Sequence, residues 1–308
     1  MLKKIIFFST SYFGVPILRS LYQNGYDISV VYTQPPKKSN RLKIEKSPIQ
    51  SLSETLNIEC RTPAFLNDNE YEKKFLKELN ADIALVVAYG QILSSEILSL
   101  TKKGFINIHA SLLPQYRGAA PIQRSIMNLE KQTGISIMKV VEKLDAGPIC
   151  NSYKLDLLKN ENAESLSNRL SSLAAEKIAD SIDDILSDKA VFKFQENSKA
   201  TYADKILKSE GRIDWNDTSE NIIGKINGLY RNPGAWFMYK GIRYKILRAE
   251  TSNNNGMPGN VLSDNLEIAC LERSIKIIEI QREGKRPQKI NEFMLGSQIK
   301  KGSSLKDA

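Results

Sequence analysis

Short, continuous apolar runs recur in the first half of the chain, and stretches with helical spacing separate most of them. The runs cover residues 2–8, 26–32, 82–87 and 105–109. Strands that are buried on both faces have this uninterrupted apolar character. Alternation of such strands with helices is typical of a mostly parallel sheet covered by helices on both sides. The sequence therefore predicts a doubly wound α/β domain.

The character of the chain changes near residue 205. From there on, short β-type runs at residues 235–239, 243–248, 260–262 and 274–280 are separated by Gly, Pro and Asn turns. This pattern predicts a small OB-like β-barrel. We therefore expect a Rossmann-like domain over residues 1–188, a linker over 189–205 and the barrel over 206–308. The tail from Lys300 onward is expected to be frayed.

The net charge of +9 comes from 44 Lys and Arg against 35 Asp and Glu. Residues 205–308 alone hold 18 Lys and Arg against 12 Asp and Glu. A second basic stretch, residues 33–46, has two prolines and no clear periodicity, which predicts a mobile basic loop. Its cationic residues are Lys37, Lys38, Arg41, Lys43 and Lys46. This charge suits a polyanionic partner, although a solvated lysine-rich surface explains it equally well.

Several classes of protein are disfavoured. No apolar run reaches the roughly 18 residues that span a bilayer. Cys60, Cys150 and Cys270 are far apart and odd in number, which favours a reducing compartment, and we expect the cytoplasm. A single histidine and no Cys pair argue against zinc. The first turn has neither G-x-G-x-x-G nor G-K-[ST], so no dinucleotide or P-loop site is implied.

Asn107 and His109 come at the end of the fourth predicted strand, two residues apart, and therefore share one face. An amide can stabilise a developing oxyanion, and an imidazole can donate a hydrogen bond or move a proton near neutral pH. Asp145, in a predicted loop, could pair with the imidazole. Since G-x-S-x-G is missing, a covalent acyl-enzyme is not favoured. Each residue taken alone is more often structural, and the spacing does not say which acyl group moves.

The motifs around these residues resemble those of the folate-dependent formyltransferases. They are Asn107-Ile-His109, the run from Ser111 to Gln123, and Asp145 in Leu-Asp-Ala-Gly. The run from Ser111 is similar to that of the members that formylate methionyl initiator tRNA. Further matches lie at residues 33–35, 86–90, 201–205 and 211–215. Ser9 and Tyr12 depart from the Gly and Asp that are usual in the family.

The resemblance implies transfer of formyl from 10-formyltetrahydrofolate to the α-amino group of methionyl initiator tRNA, without a metal. It implies Asn107, His109 and Asp145 as the catalytic residues. The implied folate contacts are Val87, Ala88, Tyr89, Gly90, Gln91, Ile92, Ser111, Leu112, Leu113 and Pro114. The implied tRNA contacts are Lys37, Lys38, Arg41 and Lys43. We expect a monomer with no membrane partner.

Other activities share the same three residues. A sugar-nucleotide N-formyltransferase should lack the basic loop, because its acceptor is not a long polyanion. A formyltetrahydrofolate hydrolase would release formate without an acceptor. Glycinamide ribonucleotide formyltransferases are shorter and lack a C-terminal domain. An RNA-binding protein with an inactive α/β domain is the alternative from a different class.

Overall fold

The computed structural model describes residues 3–38 and 44–306 and divides into two compact units. The first unit comprises Met1–Gly118, Thr133–Leu155 and Ser167–Tyr202. The second comprises Ala119–Gln132, Asp156–Leu166 and Ala203–Ala308. Two short segments, residues 119–132 and 156–166, therefore pack with the C-terminal part. The predicted division at residues 188 and 205 stays a prediction.

The first unit is built on a seven-stranded sheet. The strands up to residue 156 are β1 (Lys4–Ser9), β2 (Asp27–Tyr32), β3 (Lys37–Lys38), β4 (Ile44–Glu45), β5 (Cys60–Arg61), β6 (Ile83–Val87), β7 (Phe105–His109), β8 (Gln132–Lys139) and β9 (Ile149–Asp156). The order in the large sheet is β5-β2-β1-β6-β7-β8-β9. The strands from β5 to β7 are parallel, and β8 is antiparallel to β7. The predicted α/β architecture is confirmed, whereas β9 was not predicted.

The helices numbered up to residue 186 are α1 (Gly14–Gln23), α2 (Pro48–Thr55), α3 (Glu70–Leu79), α4 (Ser95–Leu98), α5 (Pro121–Met127) and α6 (Ala163–Leu186). Local sequence sets several of their starts. Ser47 caps α2 by accepting a hydrogen bond from the Gln50 N–H, and Pro48 occupies the first turn. Asn69 caps α3 in the same way by accepting a hydrogen bond from the Glu72 N–H, so this helix begins at Glu70.

Aromatic rings join the central strands of the first unit. The Phe8 ring stacks on Tyr32 at 4.8 Å and meets Tyr89 edge-on at 5.2 Å. Phe105 lies 5.5 Å from the same ring. All four side chains are buried, so these rings form an aromatic core that joins β1 and β2 to the start of β7 and to the loop after β6.

The second unit contains an antiparallel sheet that forms a half-barrel. Its elements are α7 (Ser219–Gly228), β10 (Ala235–Tyr239), β11 (Ile242–Ser252), β12 (Glu267–Ala269), β13 (Ser274–Arg282), β14 (Gln288–Lys289) and α8 (Ile290–Met294). The order is β10-β11-β13-β12, and β14 pairs with β13. Trp215, Phe237, Tyr244 and Phe293 pack edge-on or stacked in its core. The predicted small β domain is confirmed.

Helix α7 was not predicted, because its glycines lower helix propensity. Gly224 and Gly228 face α5, which belongs to the same unit. A Cβ at Gly228 would lie 2.8 Å from the Gln123 carbonyl oxygen. The glycines therefore permit two helices to approach closely, which no local pattern reveals.

The prediction of a frayed tail was wrong. Leu305 is buried, and its N–H donates to the Gly259 carbonyl at 2.9 Å. The Ser303 carbonyl accepts a hydrogen bond of 2.9 Å from the Val261 N–H. One apolar residue near the end of a polar segment is enough to anchor it. Within the two described ranges, none of the helices combines the length and hydropathy needed to cross a membrane.

Candidate active site

The predicted site residues of β6 and β7 lie at the carboxyl edge of the parallel strands. These strands are neighbours, and Val86 is in register with Asn107. Val87 ends β6, and His109 ends β7. In open α/β sheets this edge is the usual place for a ligand. The structure therefore brings the loop after β6 beside Asn107 and His109.

The His109 ring is buried, with 6% of its surface exposed, and lies opposite Ser136 of β8. Its Nε2 atom is 2.8 Å from the carbonyl oxygen of Tyr116. Because a carbonyl oxygen only accepts hydrogen bonds, Nε2 is the ring nitrogen that carries the proton. Nδ1, the second ring nitrogen, does not take part in this contact. Tyr116 thereby orients the imidazole, a partner that the sequence did not indicate.

Asp145 lies in the loop between β8 and β9, as predicted. Its Oδ2 atom is 3.7 Å from His109 Nδ1 and accepts a hydrogen bond of 2.8 Å from the Gly118 N–H. The His109–Asp145 separation is longer than a hydrogen bond but close enough for an ion pair. A backbone donor, rather than the imidazole, holds this carboxylate in place.

The side-chain amide of Asn107 is half-buried. Among residues 3–38 and 44–306, it takes part in no hydrogen bond. It shares a strand face with His109, because side chains two residues apart point the same way. A half-buried amide without a protein partner is available to a ligand oxygen.

Residues 111–114 follow β7 and are held by Ser136, whose side chain is fully buried. The Ser136 hydroxyl donates to the Ser111 carbonyl at 2.8 Å and accepts from the Leu113 N–H at 3.0 Å. The Ser111 hydroxyl donates to the Gln115 carbonyl at 2.6 Å. The Leu113–Pro114 peptide bond is cis. Of this segment, Leu112 and Pro114 remain half-buried while Ser111 and Leu113 are buried.

The loop after β6 has an unusual backbone. Ala88 and Gly90 both have positive φ, at +48° and +85°. The Tyr89 carbonyl accepts hydrogen bonds from Thr10 Oγ1 at 2.8 Å and Gln34 Nε2 at 3.2 Å. Left-handed backbone at a residue other than glycine requires such support and is concentrated at functional sites. The loop is therefore rigidly held at the sheet edge.

The side chains of this loop have different surroundings. Tyr89 is 1% exposed, and its hydroxyl has no partner among the described residues. Gln91 donates to the Pro63 and Ala64 carbonyls, whereas Ile92 is 84% exposed. A groove of about 550 Å³ lies beside the loop, between residues 34–37, 64–68 and 90–92.

Two short strands lie within the basic stretch, so the prediction of a mobile loop was wrong for residues 37–38 and 44–45. Strands β3 and β4 pair antiparallel, with Lys37 opposite Glu45. The Lys37 ammonium donates to Gln34 Oε1 at 2.7 Å. Arg41 and Lys43 lie outside the described residues, and for Lys38 only the backbone pairing is described.

The second unit carries cations on the outer face of the β10–β11 pair, which we define as Trp236, Met238, Arg243 and Lys245. Trp236 is paired with Lys245, and Met238 with Arg243. The Arg243 guanidinium lies 5.8 Å from the Trp236 ring and 2.8 Å from Glu283. Burial, followed by the charge of Arg243, lowers the pKa of Lys245. Aromatic rings beside cations are typical of surfaces that bind nucleic acids.

The cysteines offer no reactive thiolate at neutral pH. Burial raises the pKa of Cys60 and of Cys150 to about 11, and that of Cys270 to about 12. Cys150 donates its thiol hydrogen to the Ile137 carbonyl at 3.3 Å. In the described parts of the chain, no three His, Cys, Asp or Glu side chains form a group that could hold a metal ion.

Sequence reasoning missed the residues that support the site. Arg117 lies inside the quoted motif, yet nothing in the motif indicates that it is buried or what it contacts. Ser136 and Gln195 carry no local signal, since each acts through a residue distant in the chain. Gln195 Nε2 donates to the Asp145 carbonyl at 2.8 Å.

Comparison with known proteins gives the family. Residues 3–182 match the formyl transferase family, and residues 205–298 match the formyl transferase C-terminal domain. A methionyl-tRNA formyltransferase of Pelagibacter ubique is 61% identical over 307 residues, covering 99% of both chains. The chain therefore belongs to the formyltransferase family and, within it, to the methionyl-tRNA formyltransferases. Formyltransferases of this family use folate derivatives.

Solved structures share the fold. A methionyl-tRNA formyltransferase from Clostridium thermocellum is 23% identical and superposes with a TM-score of 0.60, covering 82% of this chain and 96% of its own. The sugar 3N-formyl transferase WlaRD, solved in the presence of dTDP and 5-N-formyl-THF, is 20% identical with a TM-score of 0.70. That match covers 93% of this chain and 99% of WlaRD.

Proposed function

We propose that this protein transfers the formyl group of 10-formyltetrahydrofolate to the α-amino group of methionine on initiator tRNA. The observation that carries the proposal is the unpaired Asn107 amide on the strand face that also holds His109, beside Asp145. This arrangement supplies a donor for an oxyanion and acceptors for a proton. The similarity over the full chain to the Pelagibacter ubique enzyme supports the same acceptor.

The reaction is a direct transfer from one substrate to the other. The methionine amine attacks the formyl carbon, and the carbonyl oxygen becomes negatively charged in the tetrahedral intermediate. Asn107 donates a hydrogen bond to this oxygen, because its amide has no partner among the residues that the structure describes. No covalent intermediate is needed, which agrees with the raised pKa of the nearest thiol, Cys150.

Collapse of the tetrahedral intermediate breaks the bond between the formyl carbon and N10, and N10 keeps the electron pair of that bond. The proton released by the amine passes to the His109–Asp145 pair, which can return it to N10. With Nε2 bound to the Tyr116 carbonyl, the neutral ring presents the lone pair of Nδ1. Asp145 Oδ2 lies 3.7 Å from this Nδ1 atom, so both atoms can accept a proton from an amine placed beside them. The carboxylate stabilises the imidazolium that forms when Nδ1 takes the proton. In this geometry His109 acts through Nδ1, and its second nitrogen has only an orienting role.

The residues around this position fit a flat heteroaromatic co-substrate. Folate, when bound, supplies the activated formyl group and an N10 leaving group whose lone pair delocalises into an aryl ring. Residues 87–92 and 111–114 lie at the ends of the neighbouring strands β6 and β7. Their backbone groups and apolar side chains suit a pteridine ring. The unpartnered hydroxyl of the buried Tyr89 is one polar group that the protein itself leaves unsatisfied.

Contacts with tRNA are assigned to two basic regions. The first is the basic stretch over residues 33–46, with Lys37, Lys38, Arg41 and Lys43. The second is the outer face with Arg243 and Lys245. Binding through phosphates weakens as salt rises, because each cation that pairs with phosphate releases a counterion. We further propose that the protein acts in the cytoplasm and as a monomer. Light scattering on the purified protein tests the monomeric state.

The activity is tested with purified protein, 10-formyltetrahydrofolate and methionyl initiator tRNA. We expect formyl-methionyl-tRNA as the product, and a loss on the order of a hundredfold in kcat for His109→Ala and for Asp145→Ala. Release of formate without formylated tRNA would establish a hydrolase instead. Formylation of an amino-sugar nucleotide in preference to tRNA would establish the sugar-directed activity.

Arg41→Leu separates the two substrates. We expect this variant to raise the KM for methionyl-tRNA while the affinity for folate stays unchanged, because we assign the cations of the basic stretch to contacts with the nucleic acid alone. The matched control is Lys74→Ala on the exposed face of α3. An equal loss of affinity for methionyl-tRNA and for folate would assign Arg41 to the structure of the protein rather than to tRNA recognition.

A further inference from the structure

One segment of the first unit, Gln195 to Tyr202, contacts two loops. One loop contains Tyr116, which binds His109, and the other contains Asp145. We call residues 195–202 the clamp segment. Its Thr201 side-chain oxygen accepts a hydrogen bond of 2.9 Å from the Tyr116 N–H, and the Thr201 carbonyl accepts one of 2.9 Å from the Arg117 N–H. The clamp segment therefore fixes the backbone on both sides of the Tyr116 carbonyl that orients His109.

Arg117 extends this contact through its side chain. The residue is only 1% exposed. Its guanidinium donates to Gln195 Oε1 from Nε at 3.0 Å and from Nη2 at 2.8 Å, and Nη2 also donates to Asn197 Oδ1 at 3.0 Å. A buried cation is costly unless its donors are satisfied. Here amide oxygens of the clamp segment satisfy them.

The nitrogen of the same Gln195 amide contacts the loop that contains Asp145. This Nε2 atom donates to the Asp145 carbonyl and to the Gly147 carbonyl, each at 2.8 Å. The amide thus accepts two hydrogen bonds from Arg117 and donates two to the Asp145 loop. All of its hydrogen-bonding capacity is used. Gln195 is the one side chain of the described residues that bridges Arg117 to this loop.

We infer that Gln195 is a positioning residue that sets the distance between the His109 ring and the Asp145 carboxylate, because it joins the loop of Tyr116 and Arg117 to the loop of Asp145. Both loops need such support. Tyr116 and Asp145 have positive φ, at +59° and +45°, which residues with a side chain adopt only when their surroundings enforce it. The inference rests on the proposed function, because it concerns the rate of that reaction.

Two variants of Gln195 and one control separate the contacts of its amide oxygen from those of its amide nitrogen. Gln195→Met removes both pairs of hydrogen bonds. Gln195→Glu keeps an acceptor for Arg117 but places an oxygen against the Asp145 and Gly147 carbonyls. Asn197→Ala is the matched control, because it removes one hydrogen bond to Arg117 and leaves the Asp145 loop untouched.

The measurements are kcat, the KM for each substrate and the pH profile of kcat, on the folded full chain. We expect both Gln195 variants to lose on the order of 10- to 100-fold in kcat with KM within about twofold, since small misplacement of reacting groups has costs of this size. Their pH profiles should be displaced from that of the wild type. Asn197→Ala should keep kcat within about twofold and the wild-type pH profile.

An unchanged kcat and pH profile in Gln195→Met would overturn the inference, even if its melting temperature fell. If that variant does not fold, Thr201→Val and Thr201→Ser decide the question. A lower kcat in the first that is restored in the second supports positioning by the clamp segment, and equal kcat values overturn it. A wild-type protein that fails to formylate methionyl-tRNA would refute the proposed function instead.

Discussion

The carboxyl edge of the first unit's sheet and the outer face of the second unit's sheet both present polar side chains, but they hold them differently. At the edge, His109 and Asp145 are almost enclosed, and each has a backbone partner within 2.8 Å. On the outer face, Arg243 is partly exposed and pairs with the exposed Glu283. Bond-making requires atoms at set distances, whereas attraction of a polyanion requires only charge at the surface.

This contrast predicts that substitutions at the edge reduce kcat, whereas those on the outer face change affinity and its salt dependence. The largest effect is expected for Asn107→Ala. Removal of an oxyanion donor costs about 100- to 1000-fold in kcat. Because the Asn107 amide has no partner among the described residues, the melting temperature should hardly change. The measurement is single-turnover formylation, with Asn24→Ala at the exposed end of α1 as control. A small loss in rate would remove Asn107 from the catalytic residues.

The next effect is expected for Gly147→Ala. A Cβ at this position would overlap the Lys139 carbonyl oxygen of β8, so the Asp145 loop must shift. We expect kcat to fall about tenfold or more, because a displaced carboxylate no longer flanks Nδ1 of His109. Gly296→Ala is the control, since a Cβ there meets nothing within 4 Å. Equal rates for the two variants would mean that the loop position is not critical.

The third prediction concerns acid stability and a buried pair beneath the edge. Glu72 accepts hydrogen bonds from Tyr32 at 2.6 Å and from Arg61 at 2.8 and 2.9 Å. Burial alone would raise the pKa of Glu72, but the hydrogen bonds from Arg61 and Tyr32 outweigh it and the pKa is lowered. The ionised form therefore stabilises the fold above the ordinary Glu pKa, and this contribution is lost as pH falls through the lowered value.

Glu72→Gln should accordingly reduce the free energy of unfolding by about 1–3 kcal/mol at pH 7. The difference from the wild type should shrink as pH falls below the ordinary Glu pKa and through the lowered pKa of Glu72, because the wild-type carboxylate then becomes protonated as well. Urea unfolding across pH measures both. Glu283→Gln, which breaks the exposed pair with Arg243, is the control and should change stability by less than about 0.5 kcal/mol. A constant difference at all pH values would contradict the assignment.

The smallest effect is expected for Arg243→Ala on the outer face. One lost phosphate contact should weaken tRNA binding a few-fold and reduce the slope of log affinity against log salt by about one. The kcat at saturating tRNA should not change, in contrast to the edge variants. Filter binding at several salt concentrations tests this, with Lys74→Ala as control. An unchanged salt slope would show that this cation does not meet phosphate.

The strands and the family could be predicted because they depend on local chemistry. Buried parallel strands must be apolar throughout, so residues such as Ile5 and Leu85 identified them directly. Asn107, His109 and Asp145 could be proposed as site residues because their motifs are contiguous in the sequence. The predicted strand at residues 260–262 appears only as isolated bridges, and α7 was missed, since both depend on what packs against them.

The sequence by itself determined the α/β class of the first unit, the polar residue types proposed for its site and the position of the basic stretch. Only the tertiary structure decided which atoms of those residues face one another. The Tyr116 carbonyl takes Nε2 of His109, Gly118 holds Asp145, and Gln195 joins their loops from about 50 to 80 residues away along the chain. Apolar periodicity is visible within a few residues, whereas a hydrogen bond between distant loops leaves no local pattern.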